Sequence, residues 1–208
     1  MAIGRLVKQS LLLAFLLLEA NAQVQPLKIS REGENFALTL SKEMAAALKR
    51  FNPGFKTWKT VDYAISVRED VADEPPHSRA PFALILDANK DGKPDVILDG
   101  HDDSNSLLLC LLSHGQDYIV EMLDSTDLRV PSQTVDYKNG VKDTGLCYYF
   151  SGTPVWTSAR NFDPNNSFVF QIVIPQRTDS AGKLINDGGS ISYYFEKGKF
   201  IRGDFDPL

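Results

Sequence analysis

Residues 87–100 read DANKDGKPDVILDG, with a side-chain oxygen at every second position and then a glycine. Counted from Asp87, oxygens stand at positions 1, 3 and 5 (Asp87, Asn89, Asp91), Gly92 follows at 6, Lys93 at 7 and Asp95 at 9. This spacing lets one backbone turn wrap an ion: alternate side chains point inward, glycine permits the bend, and residue 7 offers its carbonyl. Three carboxylates and an amide are hard oxygen donors with no imidazole or thiol among them, so the expected ion is Ca2+ rather than zinc or copper. The competing reading is an ordinary hairpin turn, which Asp, Asn and Gly also fill.

An EF-hand needs a bidentate Glu at position 12 and a helix on each side. Position 12 is Leu98, and the flanks FALIL and VILDG read as strands. The pattern D-x-N-x-D-G-x-x-D between two short apolar strands instead resembles the calcium loop of FG-GAP repeats, also called VCBS-type repeats. That resemblance implies a calcium-binding β-hairpin whose ligands are Asp87, Asn89, Asp91 and Asp95 through side chains and Lys93 through its carbonyl. FG-GAP proteins repeat the unit to build a propeller, whereas here it occurs once and no period of 20–50 residues is present. The chain as a whole is similar to small bacterial secreted or periplasmic proteins with one such loop. The shared features are an early helix, Pro53-Gly54-Phe55 with Trp58 and Asp62-Tyr63, the APF strand at 80–82, and a late hairpin from Tyr193 to Phe200. The resemblance implies a fold and an ion, and no activity.

Other chemistry is thinly marked. His101-Asp102 follows the loop and is the first place to look for a hydrolase site, while a run such as Gly100-His101-Asp102-Asp103 is more often a solvated turn. The three histidines, His77, His101 and His114, form no H-x-x-x-H pair and no nucleophile elbow is present. Arg202-Gly203-Asp204 spells an integrin-type tripeptide, too short a match to carry adhesion, and Asn165-Asn166-Ser167 fits a glycosylation sequon. Cys110 and Cys147 sit in apolar strand-like runs, and either a disulfide or two buried thiols suits them. The tyrosine pairs 148–149 and 193–194 place one ring on each face of a strand, one for the core and one for an exposed aromatic patch.

These groups must be positioned by the elements around them. Ser41 to Phe51 reads as a helix: Ser41 caps it, Glu43 suits its positive end, Lys49 and Arg50 its negative end, and Asn52-Pro53-Gly54 stops it. Met44, Leu48 and Phe51 share one face, a stripe expected in the core. Strands are expected at 82–86, 95–98, 106–112, 118–123, 146–150, 168–174, 191–196 and 200–202, with a turn at Lys197-Gly198. The continuous apolar runs 96–98 and 107–112 predict strands buried on both faces or covered by the helix. Residues 69–80 read as a loop. The expected fold is α+β: one N-terminal helix packed on a mostly antiparallel β-sheet.

Arg5 and Lys8, the apolar run Leu11 to Leu18 and Ala20-Asn21-Ala22 together describe a secretory signal peptide over 1–22. The run is too short to span a bilayer. Residues 23–208 then suit a single domain, periplasmic or secreted. The net charge of −5 and the lack of a basic cluster speak against nucleic acid as the partner. The expectation is an exported, calcium-binding, non-catalytic domain that engages a protein, with an inhibitor or immunity-type role. The alternative is a small secreted hydrolase with a site near His101 and Asp102.

Overall fold

The computed structural model describes residues 26–33, 35–72, 78–129, 135–138, 141–151, 169–174, 177–178, 181, 183–186 and 188–207. The expected signal peptide, His77 and the sequon at 165–167 lie outside these residues. In chain order, strands β1 (Lys28–Glu32) and β2 (Asn35–Thr39) form a hairpin, followed by helix α1 (Lys42–Phe51) and the short strand β3 (Lys56–Thr57). A 3-10 turn (Thr60–Asp62) leads to helix α2 (Ile65–Ala72). Strands β4 (Arg79–Ala80), β5 (Ala83–Leu86), β6 (Asp95–His101), β7 (Asn105–His114) and β8 (Asp117–Asp127) come next. After them are β9 (Val135–Lys138), β10 (Val141–Thr144), β11 (Tyr149–Ser151), β12 (Phe170–Ile174), β13 (Arg177–Thr178), β14 (Leu184–Asn186), β15 (Gly189–Glu196) and β16 (Lys199–Pro207).

Two sheets carry the architecture. The first runs β4-β5-β6-β7-β8 with β3 added against β6, and the second runs β11-β12-β15-β16. Every strand pair is antiparallel. Pleating splits the first sheet's side chains between two cores. Val96, Leu98, Leu107, Leu109 and Leu111 face the helices and the β1–β2 hairpin, together with Met44, Trp58 and Val67. Ile97, Leu108, Cys110 and Leu112 face the other way, onto Phe150, Phe170 and Tyr193 of the second sheet. A strand covered on both sides has no polar face, which is why 96–98 and 107–112 are apolar without alternation.

The helix at 41–51 forms as its sequence predicts. Ser41 Oγ accepts the Met44 amide at 3.2 Å, Glu43 lies in the first turn and Lys49 and Arg50 in the last. Its apolar stripe, however, is not uniformly core. Met44 is fully buried, Leu48 is half-buried and Phe51, the last residue of the helix, is 44% exposed.

Three expectations need correction. Among the described residues there are two α-helices where one was expected, since Ile65–Ala72 is helical and takes the first residues of the loop expected at 69–80. Val67 and Val71, one turn apart, are both buried and hold α2 in place. The β1–β2 hairpin was not expected, although Ile29 and Phe36 are buried and the chain turns at Gly33 with φ of 60°. The tyrosines form no exposed patch among the described residues: Tyr193 is core, and Tyr148, Tyr149 and Tyr194 are half-buried. The exposed large apolar side chains include Ile119 and Met122 on β8 and Ile201 and Phe205 on β16. Cys110 and Cys147 are both buried as free thiols, in different cores, and burial pushes the Cys110 thiol up.

Candidate metal loop and the polar groups beside it

Strands β5 and β6 pair from Ala83↔Leu98 to Leu86↔Asp95, so residues 87–94 are the loop of a hairpin. Lys90 at φ 58° and Gly92 at φ 83° take the left-handed backbone that bends it. Inside the bend the side chains serve the loop's own amides. Asp87 accepts from the amides of Asp91 (3.1 Å) and Gly92 (2.9 Å), Asn89 Oδ1 accepts from Asp91 (3.1 Å), and Asp91 Oδ1 accepts from Lys93 (2.9 Å). The oxygens at positions 1, 3 and 5 are therefore turned toward the loop's own amides, at positions that are exposed (Asp87, Asp91) or half-buried (Asn89).

A second strand holds the loop in place. Ser113 near the end of β7 meets three of the predicted ligands. Its hydroxyl donates to Asp91 Oδ2 at 2.8 Å, its carbonyl accepts from Asn89 Nδ2 at 3.1 Å, and its amide donates to Asp95 Oδ1 at 2.7 Å. The Ser113 hydroxyl holds the Asp91 carboxyl below the usual carboxylate range. The Lys93 ammonium reaches the carbonyl of Gly115. Ser113 carried no signal in the sequence, because its role depends on β7 lying beside β6.

Asp95 differs from the other predicted ligands. It is fully buried, and its second oxygen accepts the Ala88 amide at 2.7 Å. Burial pushes its carboxyl up, against the lowering effect of the Ser113 and Ala88 amides. Asp87, Asn89 and Asp91 fit a hard cation in donor type, and each accepting oxygen keeps a lone pair. Asp95 is first a clamp between the loop and β7. Among the described residues, no three His, Cys, Asp or Glu side chains form a cluster able to hold a metal ion.

The structure keeps His101 and Asp102 together in sequence but not as an acid–base pair. Asp102 Oδ1 accepts the amides of Ser104 and Asn105 at 2.8 Å, and its Oδ2 accepts from Asn52 Nδ2 at 3.1 Å. Those two amides hold its carboxyl below the usual range. The group closes the β6–β7 turn and ties it to the end of α1. His101 Nδ1 lies 3.0 Å from the Asp102 carbonyl, and its ring stacks on Trp58 with centroids 4.2 Å apart. A catalytic imidazole needs an orienting acceptor on one side and a reacting hydroxyl or water on the other. Here the ring is held by stacking.

The most perturbed carboxyl lies two residues earlier and was not anticipated. Asp99 is 2% exposed, and its Oδ2 accepts the hydroxyls of Tyr63 at 2.7 Å and Tyr148 at 2.6 Å. Arg129 donates to the Tyr148 hydroxyl and stands over that ring, 5.0 Å from its centroid. Burial raises the Asp99 carboxyl to about 6, against the pull of the two phenols and Arg129. Burial also raises both phenols well above their usual range. One acid closing the apolar run VILD was the available signal. Asp99 joins β6, the segment before α2, the start of β11 and the end of β8.

No helix among the described residues is long and apolar enough to cross a membrane. Comparison with protein-family models, curated proteins and solved structures finds no match, so the likeness to FG-GAP-type loops rests on residues 87–95 themselves.

Proposed function

We propose that this protein is an exported, calcium-binding, non-catalytic domain that works by engaging a protein partner, as an inhibitor or immunity-type factor. The observation that carries the reading is the inward turn of the Asp87, Asn89 and Asp91 oxygens within a hairpin loop anchored to β7. In it Asp87, Asn89, Asp91 and the Lys93 carbonyl hold the ion, and Asp95 adds its remaining lone pairs from beneath. Calcium relieves the repulsion among these carboxylates and locks the β5–β6 hairpin to the sheet. The reading as a binding domain is supported by Asp102 and His101, whose polar atoms serve a turn and a ring stack. The exposed Ile119 and Met122 on β8 offer apolar contact area at a sheet edge.

Thermal unfolding with calcium and with a chelator tests the ion. At calcium 100-fold above its Kd the stabilisation is about 2.7 kcal/mol, a rise in Tm of roughly 5–10 °C for a chain of this size. Asp87→Ala with Asp91→Ala abolishes the rise; an equal rise in the double variant refutes the loop as the site. Capture from the native organism with and without calcium tests the protein partner.

A further inference from the structure

The end of β8, at the edge of the first sheet, is held to the interior by few contacts. Leu128 and Arg129 follow the strand, and their amides donate to the Ser104 carbonyl at 3.2 Å and the Ser106 hydroxyl at 2.8 Å. Leu128 is 39% exposed and adds little apolar burial. The Arg129 side chain does more. It is half-buried, stands over the Tyr148 ring and donates to the Tyr148 hydroxyl.

Burying part of a guanidinium loses solvation that an anion must offset. Two carboxylates lie in electrostatic reach: Asp99, which shares the Tyr148 hydroxyl with Arg129, and Asp124 on β8. Asp99 cannot shift to suit its neighbours. Its amide donates to the Phe82 carbonyl, and its carbonyl accepts from the Trp58 amide. Its carboxyl is buried against two neutral phenols, so among the described residues Arg129 is the cation that answers its charge.

The titratable groups around this centre can be named element by element. Tyr63, before α2, and Tyr148, before β11, are both raised well above the usual phenol range and stay neutral. Arg129 is raised and stays charged. β5, β7 and the segment after β3 bring Phe82, Leu108 and Trp58 to Asp99, none of which titrates. Beyond Arg129 stand Asp124 and, from the second sheet, Tyr193 and Arg202. His101, two residues along β6, stacks on the Trp58 ring. The charge that changes inside the centre is the one on Asp99, whose carboxyl burial raises to about 6.

We propose that Asp99, Tyr148 and Arg129 form an acid-released latch on the end of β8. With Asp99 ionised, its charge acts through the shared hydroxyl to hold the guanidinium in place. A proton on Asp99 removes that charge and leaves a half-buried cation without its interior counter-ion. Arg129 then turns out to water and to Asp124, and the Leu128 and Arg129 amides loosen from Ser104 and Ser106. This local opening runs against the trend of the whole fold. Protonation of Asp99 favours the folded chain overall, so an opening that grows in acid is not global unfolding.

The test is amide hydrogen exchange of the full chain, corrected for intrinsic rates, with Leu109 in the fully buried middle of β7 as reference. From about pH 7.5 to about pH 5, protection at Leu128 and Arg129 falls roughly three- to tenfold, while protection at Leu109 does not fall. Asp99→Asn, neutral at every pH, shows the low value already at neutral pH. Tyr148→Phe removes the hydroxyl that the two charges share; it lowers protection at neutral pH and flattens the profile, and so keeps the test if Asp99→Asn fails to fold. Protection at Leu128 and Arg129 that is constant with pH, or that rises in acid together with Leu109, overturns the proposal. So does a profile that Asp99→Asn leaves unchanged, which would place the titration on another group such as His101.

Discussion

The backbone amide of Ser113 donates to the buried carboxylate of Asp95 at 2.7 Å, across two strands and 18 residues of chain. With the Ala88 amide on its other oxygen, Asp95 clamps the acidic loop to the sheet whether or not an ion is present. The predicted ligands therefore separate by experiment. Asp95→Ala strips two buried amides of their acceptor and lowers stability by about 2–4 kcal/mol even in chelator, read by urea unfolding. Asp87→Ala, at an exposed position, changes chelated stability by less than about 1 kcal/mol and removes the calcium response. Equal effects of the two in chelator would contradict the clamp.

The Asp99 centre predicts how stability follows pH. Its carboxyl rises from 3.8 in the unfolded chain to about 6 in the fold, so the folded state holds the proton more tightly. The sign follows directly: this group's contribution is complete below about pH 4 and is lost as pH rises through 6. At 1.36 kcal/mol per unit the loss is about 3 kcal/mol. Asp91 and Asp102, whose carboxyls are lowered, act in the opposite sense, so the difference between wild type and Asp99→Asn isolates the effect. The variant is expected to be more stable than wild type at pH 7.5 by up to about 3 kcal/mol, with the gap closing by pH 4. A gap independent of pH would show that Asp99 does not titrate in this window.

Along α1 the apolar stripe divides. Met44 is fully buried, so Met44→Ala should cost about 2–5 kcal/mol in chemical unfolding. Phe51, 44% exposed, should cost under about 1 kcal/mol on the same change. Similar losses at both positions would mean that the end of the helix is packed more tightly than its exposure indicates.

Gly100 holds β3 against β6. Because an added Cβ would meet the Lys56 carbonyl at 2.2 Å and the Phe55 ring at 2.6 Å, Gly100→Ala must push β3 away. The expected cost is about 1–3 kcal/mol, with loss of amide-exchange protection at the β3–β6 pairing, read by hydrogen exchange. Retained protection at Thr57 and Gly100 would overturn this account.

The two thiols predict a chemical test. Cys110 is fully buried with its thiol raised by burial, and Cys147 is 5% exposed. A thiol reagent should titrate neither in the native protein within minutes and both after denaturation. Fast reaction of one thiol under native conditions would contradict the buried placement.

Local signals carried much of the architecture. Helix α1 follows from Ser41, Glu43 and the spacing of Met44 with its neighbours, all within one stretch of chain. Strands β5 to β8, β11, β12, β15 and β16 were visible as apolar runs between turn residues, though their ends were not, since pairing partners decide where a strand stops; the short pairs β1–β2, β9–β10 and β13–β14 were not expected. The acidic loop was legible because its donors lie within nine residues and a backbone turn brings them together without help.

What the sequence by itself determined is therefore what short-range geometry controls: the capped helix, the hairpin loop with its alternating oxygens, and the mainly antiparallel β character. Tertiary structure decided the rest. Ser113 reached the loop, Asp99 met Tyr63 and Tyr148, and Asp102 closed a turn because strands distant in the chain lie side by side. Spacing along a chain sets separation in space only within a turn or two; beyond that, the burial of both faces of one sheet placed these groups.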